Sequence, residues 1–381
     1  MKVGILSKYY NSSNYGGNLQ AYAMCEFFKL NNVDSEQICY RAVNRKNRSL
    51  FRNIICFPRY LISTLKTRFF EKIKKDAYAR IKRRIQAVRA FNLSIPHSSE
   101  VYTPQMIGAS ENNYTAFVVG SDQVWHPDTF CKAFSLEFVH NKKKFSYAAS
   151  MACEFIPDRC VKNFYNGLQG YSMLSVRETK AKELLEQIGL KNISVVVDPV
   201  FLLSKEKWLK MASQRMIKEP YVFCYFLGGN NKARKLAKEY AQSKGMKIAT
   251  IPYLTNYYRS CDENFGDYML SDVSPNNFLS LICNAEYIFT DSFHATAFSI
   301  IFNKQFFVCD RENETLMSSR IDEVIHLVNR ADRYLKKDSD YQLDYLASVE
   351  NIEYDQKIPE LKVAMQHSLN YFQNMIDRIM E

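Results

Sequence analysis

His294 is a residue of this chain well suited to moving protons, because an imidazole changes its charge near neutral pH. It lies in Phe289-Thr290-Asp291-Ser292-Phe293-His294-Ala295-Thr296-Ala297-Phe298. Residues 287–290 read as a buried strand, and the apolar run 297–302 reads as a buried helix. Asp291 or Ser292 is predicted to cap that helix by accepting from its open N–H groups. His294 then falls in the first helical turn, at the carboxyl end of a strand, where open α/β sheets take their ligands. The positive end of the helix favours an anion there. The same local pattern also fits a polar surface histidine. What favours a site is that polar groups recur at strand ends elsewhere: Asp122 and Gln123 in Gly120-Ser121-Asp122-Gln123-Val124-Trp125, Ser150, Arg177-Glu178, and Asp198-Pro199.

The elements that must position these groups alternate. Residues 2–6 read as a first strand, followed by a polar loop with Asn14-Tyr15-Gly16-Gly17-Asn18 and a helix whose apolar face is Leu19, Tyr22, Ala23, Phe27 and Leu30. Further strands are expected at 37–40, 114–119, 145–149, 173–176 and 195–197. A second series follows, with strands at 221–226, 247–250, 287–290 and 306–308 and helices at 232–243, 276–283, 320–329 and 359–380. Strands alternating with helices argue for parallel sheets. Two such series imply two Rossmann-like domains facing across a cleft. The expected division is an N-terminal domain over 1–200, a C-terminal domain over 219–345 and a helical tail over 346–381. The first turn lacks G-x-G-x-x-G, so a dinucleotide site is not supported.

The formal charge of +11 is uneven: residues 41–91 hold 16 Lys or Arg against Glu71 and Asp76, a net of +14, so the rest of the chain carries −3. A helix is predicted over 59–92, with Phe70, Ile73, Ala77, Ile81, Ile85, Val88 and Phe91 on one face. Its basic face is either simply solvated or a contact for an anionic membrane surface. For 52–68, with Ile54, Ile55, Phe57, Tyr60, Leu61 and Ile62 interleaved, membrane contact is the expectation. No nucleic-acid motif accompanies the charge, so nucleic acid is not an expected partner. The ten Cys are scattered with no C-x-x-C, which favours reduced thiols in the cytoplasm. No run reaches the length of a membrane span. No His, Cys or acidic cluster has metal-ligand spacing, so no metal is expected.

Taken in order, Tyr15-Gly16-Gly17-Asn18-Leu19-Gln20-Ala21-Tyr22-Ala23, Gly120 to Trp125, Ser146-Tyr147-Ala148-Ala149-Ser150, Ser175-Val176-Arg177-Glu178 and Asp291-Ser292-Phe293-His294-Ala295 resemble the polysaccharide pyruvyl transferase family. The resemblance covers roughly 1–335 and implies a GT-B-like fold. It implies transfer of pyruvate from phosphoenolpyruvate, a co-substrate rather than a bound cofactor, onto a sugar diol as a cyclic ketal. The acceptor would be a cell-surface glycan precursor, such as a polyprenyl-diphosphate-linked oligosaccharide, met in the cytoplasm at the inner face of the membrane. Better-studied members carry Arg two residues before the motif histidine, where this chain has Ser292.

That chemistry needs an acid, cations and a base. His294 is the expected acid, or else a phosphate ligand. Arg177, Ser292 and Arg320 are the expected donor contacts, with Arg311 a further candidate for the missing motif Arg. Arg177 also fits an ion pair with Glu178, and Arg311 and Arg320 fit solvated side chains. Asp122 is the expected base or hydroxyl acceptor, or else a turn former. Asn18 and Gln20 are expected acceptor contacts, or else helix caps, and Gln123 is a further acceptor contact. Two other functions fit the pattern: a GT-B glycosyltransferase with a nucleotide-sugar donor, and a non-catalytic surface-binding protein.

Overall fold

The computed structural model describes residues 1–41, 75–252, 259–311, 318–336, 341–354 and 358–381. The strands of the first half are β1 (Lys2–Leu6), β2 (Asp34–Tyr40), β3 (His97–Tyr102), β4 (Ala116–Val119), β5 (Lys143–Ser146), β6 (Leu174–Val176) and β7 (Ile193–Val195). Those of the second half are β8 (Tyr221–Tyr225), β9 (Lys247–Thr250), β10 (Tyr268–Met269), β11 (Tyr287–Thr290), β12 (Gln305–Cys309) and β13 (Tyr334–Leu335). The first sheet runs β3-β2-β1-β4-β5 and the second β10-β9-β8-β11-β12-β13, all pairs parallel. Isolated bridges from Phe145 to Met173 and from Ala149 to Val176 continue the first sheet into the parallel pair β6–β7.

The central strands are continuous apolar runs because both of their faces are covered by helices. They show no alternation of apolar and polar residues: β4 (Ala-Phe-Val-Val) and β8 (Tyr-Val-Phe-Cys-Tyr) are buried at every position. In each sheet the strand order reverses once, between β1 and β4 in the first and between β8 and β11 in the second. Such reversals open a crevice at the carboxyl ends of the strands.

The two halves share an apolar cluster that includes Val3, Ile5, Leu19 and Phe28 from one side and Phe223, Phe278 and Phe298 from the other. Tyr15, at the head of the first helix (Tyr15–Leu30), stacks on Phe278 with ring centroids 4.9 Å apart and donates its hydroxyl to the Val273 carbonyl at 2.8 Å. The last helix, Pro359–Met380, crosses back to the first half. There the Ser368 hydroxyl accepts from the Val197 N–H, the Tyr371 hydroxyl donates to the Ser146 carbonyl, and Phe372 packs on Phe27 and Phe28.

Of the basic segment, residues 42–74 lie outside the described residues, and with them the stretch assigned to membrane contact. The helix is described over Lys75–Ser94. Its buried stripe differs from the expected one. Ile81, Arg84, Val88 and Phe91 face inward, while Ile85 is 43% exposed. An arginine enters the stripe because its head group finds polar partners at the contact between halves: Arg84 donates to the Pro252 carbonyl at 3.0 Å and lies 4.8 Å from the centre of the Tyr15 ring. Among the described residues no helix is long and apolar enough to cross a membrane.

Candidate functional site

The two crevices face one another and form a cleft of about 320 Å³. From the first half, Ser13 and Asn14 follow β1, Asp122 and Gln123 follow β4, and Arg84 reaches in from its helix. From the second half come Tyr225 and Leu227 at the end of β8, Ser292, Phe293 and His294 after β11, Arg311 after β12, Arg259, and Arg320 from the helix Ser318–His326. Asp122 is the one carboxylate among the described residues that line it.

His294 stands in the first turn of the helix Phe293–Ile301, which Ser292 caps by accepting from the Ala295 N–H at 3.4 Å. Asp291 does not cap this helix. Its carboxylate accepts from the N–H groups of Leu227 (2.7 Å) and Gly228 (2.6 Å), which ties the end of β11 to the end of β8. Arg311 is the neighbour of the same residue, with Nε 3.2 Å from the Asp291 carbonyl. Across the cleft, His294 packs on the head of the first helix. A Cβ on Gly16 would lie 2.0 Å from His294 Nδ1, so only glycine admits the ring there. Asn14 caps that helix, accepting from Gly16 N–H and Gly17 N–H.

The other imidazole nitrogen, Nε2, is buried without a hydrogen-bond partner and lies 3.6 Å from Asp198 Oδ2. Asp198 follows β7, at 1% exposure. It accepts from the Ser121 hydroxyl and from Arg177 Nη1, both at 2.7 Å, and its other oxygen accepts from the Val200 N–H. Burial alone would raise the Asp198 pKa. The charges of His294 and Arg177 and the Ser121 hydroxyl outweigh that and hold it well below the usual carboxylate range.

Asp122 has φ of 66°, in the left-handed region that Asp tolerates better than most residues. Its carbonyl accepts from Val124 N–H and Ser150 N–H, which fixes that conformation. Its carboxylate points along the first helix: a Cβ on Gly17 would lie 3.4 Å from Oδ2. Burial pushes its pKa up, and His294, Arg177 and Arg320 together bring it below the ordinary value. Arg320 is buried and donates to the Gln123 amide oxygen, from Nη1 at 2.8 Å and Nη2 at 3.2 Å. Lys8 braces the same loop by donating to the Gln123 carbonyl and to Thr129.

Among the expected site residues, the cleft therefore brings together His294, Asp122, Gln123, Ser292 and Arg320, with Arg311. Three others stand apart from it. Arg177 is 2% exposed and sits behind the wall, held by Asp198, Glu178 and Ser121 and lying 4.1 Å from the centre of the Phe293 ring. A guanidinium so buried needs carboxylates around it, and β6 ends two strands away from the reversal. Asn18 is fully buried, donating to the Ser12 and Asn14 carbonyls and accepting from Asn92. Gln20 is fully buried and donates to the Gly17 carbonyl. Both point into the body of the first half because they lie on the inward side of a helix that is buried nearly all round its first two turns. Sequence reasoning gave no role to Arg84, Arg259 or Ser13 at the cleft, and it marked Asp198, behind the wall, only as a strand-end polar group. Among the described residues no group of three His, Cys, Asp or Glu could hold a metal ion.

A family model for polysaccharide pyruvyl transferase matches residues 14–313. No curated protein matches the chain. Similar solved structures include the UDP-GlcNAc 2-epimerase of Neisseria meningitidis bound to UDP-GlcNAc, at 11% identity over 99% of this chain and 100% of that one, TM-score 0.53. The UDP-GlcNAc 2-epimerase of Methanocaldococcus jannaschii is 14% identical over 97% of this chain and 100% of that one, TM-score 0.53. Identities this low speak for fold alone, and the fold they share with this chain is GT-B. The family match spans most of the chain and contains every cleft residue except Arg320 and Ser13, so the protein belongs to the polysaccharide pyruvyl transferase family.

Proposed function

We propose that the cleft binds phosphoenolpyruvate and transfers its pyruvyl group to two hydroxyls of a sugar in a cell-surface polysaccharide or its lipid-linked precursor. The observation that supports this reading is the composition of the cleft: four arginines, Arg84, Arg259, Arg311 and Arg320, and His294, against the single carboxylate of Asp122. Burial and the charges of Arg177 and Arg311 pull Arg320 down to about 10. Arginine keeps its proton at neutral pH all the same. The shift reflects burial first and the neighbouring arginines second, and a small polyanion beside Arg320 offsets the repulsion among them.

The reaction follows from the donor's structure. A proton from His294 to the methylene carbon leaves an oxocarbenium-like centre at C2. One sugar hydroxyl adds there and gives its proton to Asp122. The second hydroxyl then forms its bond to C2 as the C2–O bond to phosphate breaks, and its proton leaves with the phosphate or returns to the imidazole. Arg320 and Arg311 stabilise the departing phosphate. Ser292 holds the helix turn that carries His294, with the arginines of the same wall supplying charge that a motif arginine would otherwise bring. The basic segment 41–91, at +14, draws the enzyme to an anionic membrane surface at which a polyprenyl-diphosphate-linked acceptor is presented.

Thermal denaturation with candidate donors tests the reading, since a ligand that binds only the folded state raises the melting temperature with concentration. Phosphoenolpyruvate is expected to raise it and UDP-sugars to leave it unchanged. Stabilisation by a UDP-sugar and none by phosphoenolpyruvate would replace this reading with glycosyl transfer.

A further inference from the structure

Asp198 is the buried carboxylate nearest the proposed acid, and it comes from the opposite half of the molecule. It is held from three sides: the Ser121 hydroxyl after β4, the Arg177 guanidinium after β6, and the Val200 N–H. Arg177 is itself fixed by Glu178, which in turn accepts from the Ser150 hydroxyl at 2.5 Å. From three strand-end motifs, Ser121 and Arg177 thus meet at one oxygen of Asp198, with Glu178 and Ser150 behind Arg177, while Asp122 and Gln123 of the first motif line the cleft. Facing that oxygen is His294 Nε2, buried, unpaired and 3.6 Å away, just beyond hydrogen-bond length. A buried nitrogen left without a partner is costly unless some state of the molecule satisfies it.

We propose that Asp198 is the positioning residue of His294: it takes the Nε2 proton in a hydrogen bond when the two halves of the cleft draw together on a ligand, and so leaves Nδ1, at the head of the first helix, as the nitrogen that works on substrate. From 3.6 Å, a closure of about 0.8 Å brings the pair to an ordinary charge-assisted bond of about 2.8 Å. Arg177 and Ser121 act through Asp198, keeping the carboxylate ionised and its oxygen aimed at the ring. Asp122, Arg177, Glu178 and Arg320 are the other charges in this neighbourhood: the Asp122 carboxylate feels His294, Arg177 and Arg320 together, and Glu178 pairs with Arg177. The kinetic consequence rests on the proposed reaction and the geometry does not, so the two parts are tested separately.

The geometric part needs no turnover, because at 3.6 Å the Asp198 carboxylate already favours a proton on Nε2 before the hydrogen bond closes. Nitrogen NMR of histidine-labelled protein resolves the ring nitrogens of six histidines, with His294→Gln assigning the relevant pair. In the wild type the proton is expected on Nε2; in Asp198→Asn, whose amide donates instead, it moves to Nδ1. The kinetic part uses the same variant. Asp198→Asn is expected to lower kcat on the order of 100-fold with little change in donor KM, and to move the high-pH limb of the kcat profile to lower pH, because positive charge on the ring loses its counter-ion. In a His294→Ala background the same change should cost nothing further, since a residue acting only through His294 has nothing left to position. Ser121→Ala removes one bond to Asp198 and keeps the Arg177 pair, so it serves where Asp198→Asn fails to fold, with a smaller fall in kcat and the same direction of pH shift. An Nε2 proton that stays put and a pH profile that stays put in the substituted protein overturn the proposal. An expected tautomer shift in a protein that does not turn over phosphoenolpyruvate would uphold the pairing and remove the reaction instead.

Discussion

The side chains that end β1 and β4 on one wall of the cleft are Asn14, Asp122 and Gln123, whereas those that follow β8, β11 and β12 on the other include His294 and Arg311, joined there by Arg259 and Arg320. The two sheets have the same strand order around their reversals, so the backbone offers each wall the same places. The chemistry differs because the side chains do. The second wall is cationic and suits the anions of a donor. The first, apart from Arg84, is neutral or acidic and suits the hydroxyls of a sugar. His294 belongs to the cationic wall but leans on the first helix of the other one, at the glycine that makes room for it. In the proposed reaction, transfer therefore takes place between unlike walls, with the acid at the seam.

Substitutions that strike the seam or one wall test this division. His294→Ala carries the largest expected effect, a fall in kcat of roughly 10²- to 10⁴-fold with the fold retained, read from steady-state rates and a melting curve. Near-normal turnover would remove the imidazole from the chemistry. On the neutral wall, Asp122→Asn is expected to lower kcat on the order of 100-fold and to weaken the acceptor. It should leave donor affinity equal or tighter, since it takes a negative charge from a cationic space. On the cationic wall, Arg320→Gln should do the opposite, raising donor KM by roughly 10-fold or more and leaving acceptor KM alone, as expected for a lost charged hydrogen bond. If the two variants affect the same substrate, the walls are not divided as described.

The smallest effect concerns stability. The Asp198 pKa is depressed in the folded protein by His294, Arg177 and Ser121, so those contacts contribute fully above the ordinary carboxylate value of about 4 and are lost progressively as pH falls below it. The wild type should therefore lose stability on acidification across that range more steeply than Asp198→Asn, as urea unfolding at stepped pH would show. Parallel acid limbs in the two proteins would mean that the pair does not ionise as the geometry demands.

Much of this could be read from the sequence because buried parallel strands leave unbroken apolar runs and the polar residues after them stand out. β1, β4, β8 and β11 were legible in that way, and with them Asp122, Ser292 and His294. β3 was not: His97-Ser98-Ser99-Glu100-Val101-Tyr102 is a polar edge strand, and the Ser98 hydroxyl donates to the Glu100 carbonyl and accepts from the Cys39 N–H, work that no apolar pattern signals. β10 and β13, two residues each, are too short to carry a period. Arg84 was hidden because a charged residue breaks the apolar stripe that defines a buried face. Asn18 and Gln20 misled for the reverse reason: polar residues beside a glycine turn look like ligand contacts, and these two serve the helix and Asn92. The meeting of Asp198 with His294 joins opposite halves of the chain, and only the folded cleft makes it visible.

Phosphate release is the decisive measurement. Phosphoenolpyruvate should yield one inorganic phosphate for each acid-labile pyruvyl ketal formed, measured over a panel of galactosides, mannosides and lipid-linked precursors, with no release when the diol is blocked. Phosphate released without a ketal, or a sugar transferred from a UDP-sugar over the same panel, would contradict pyruvyl transfer at this cleft.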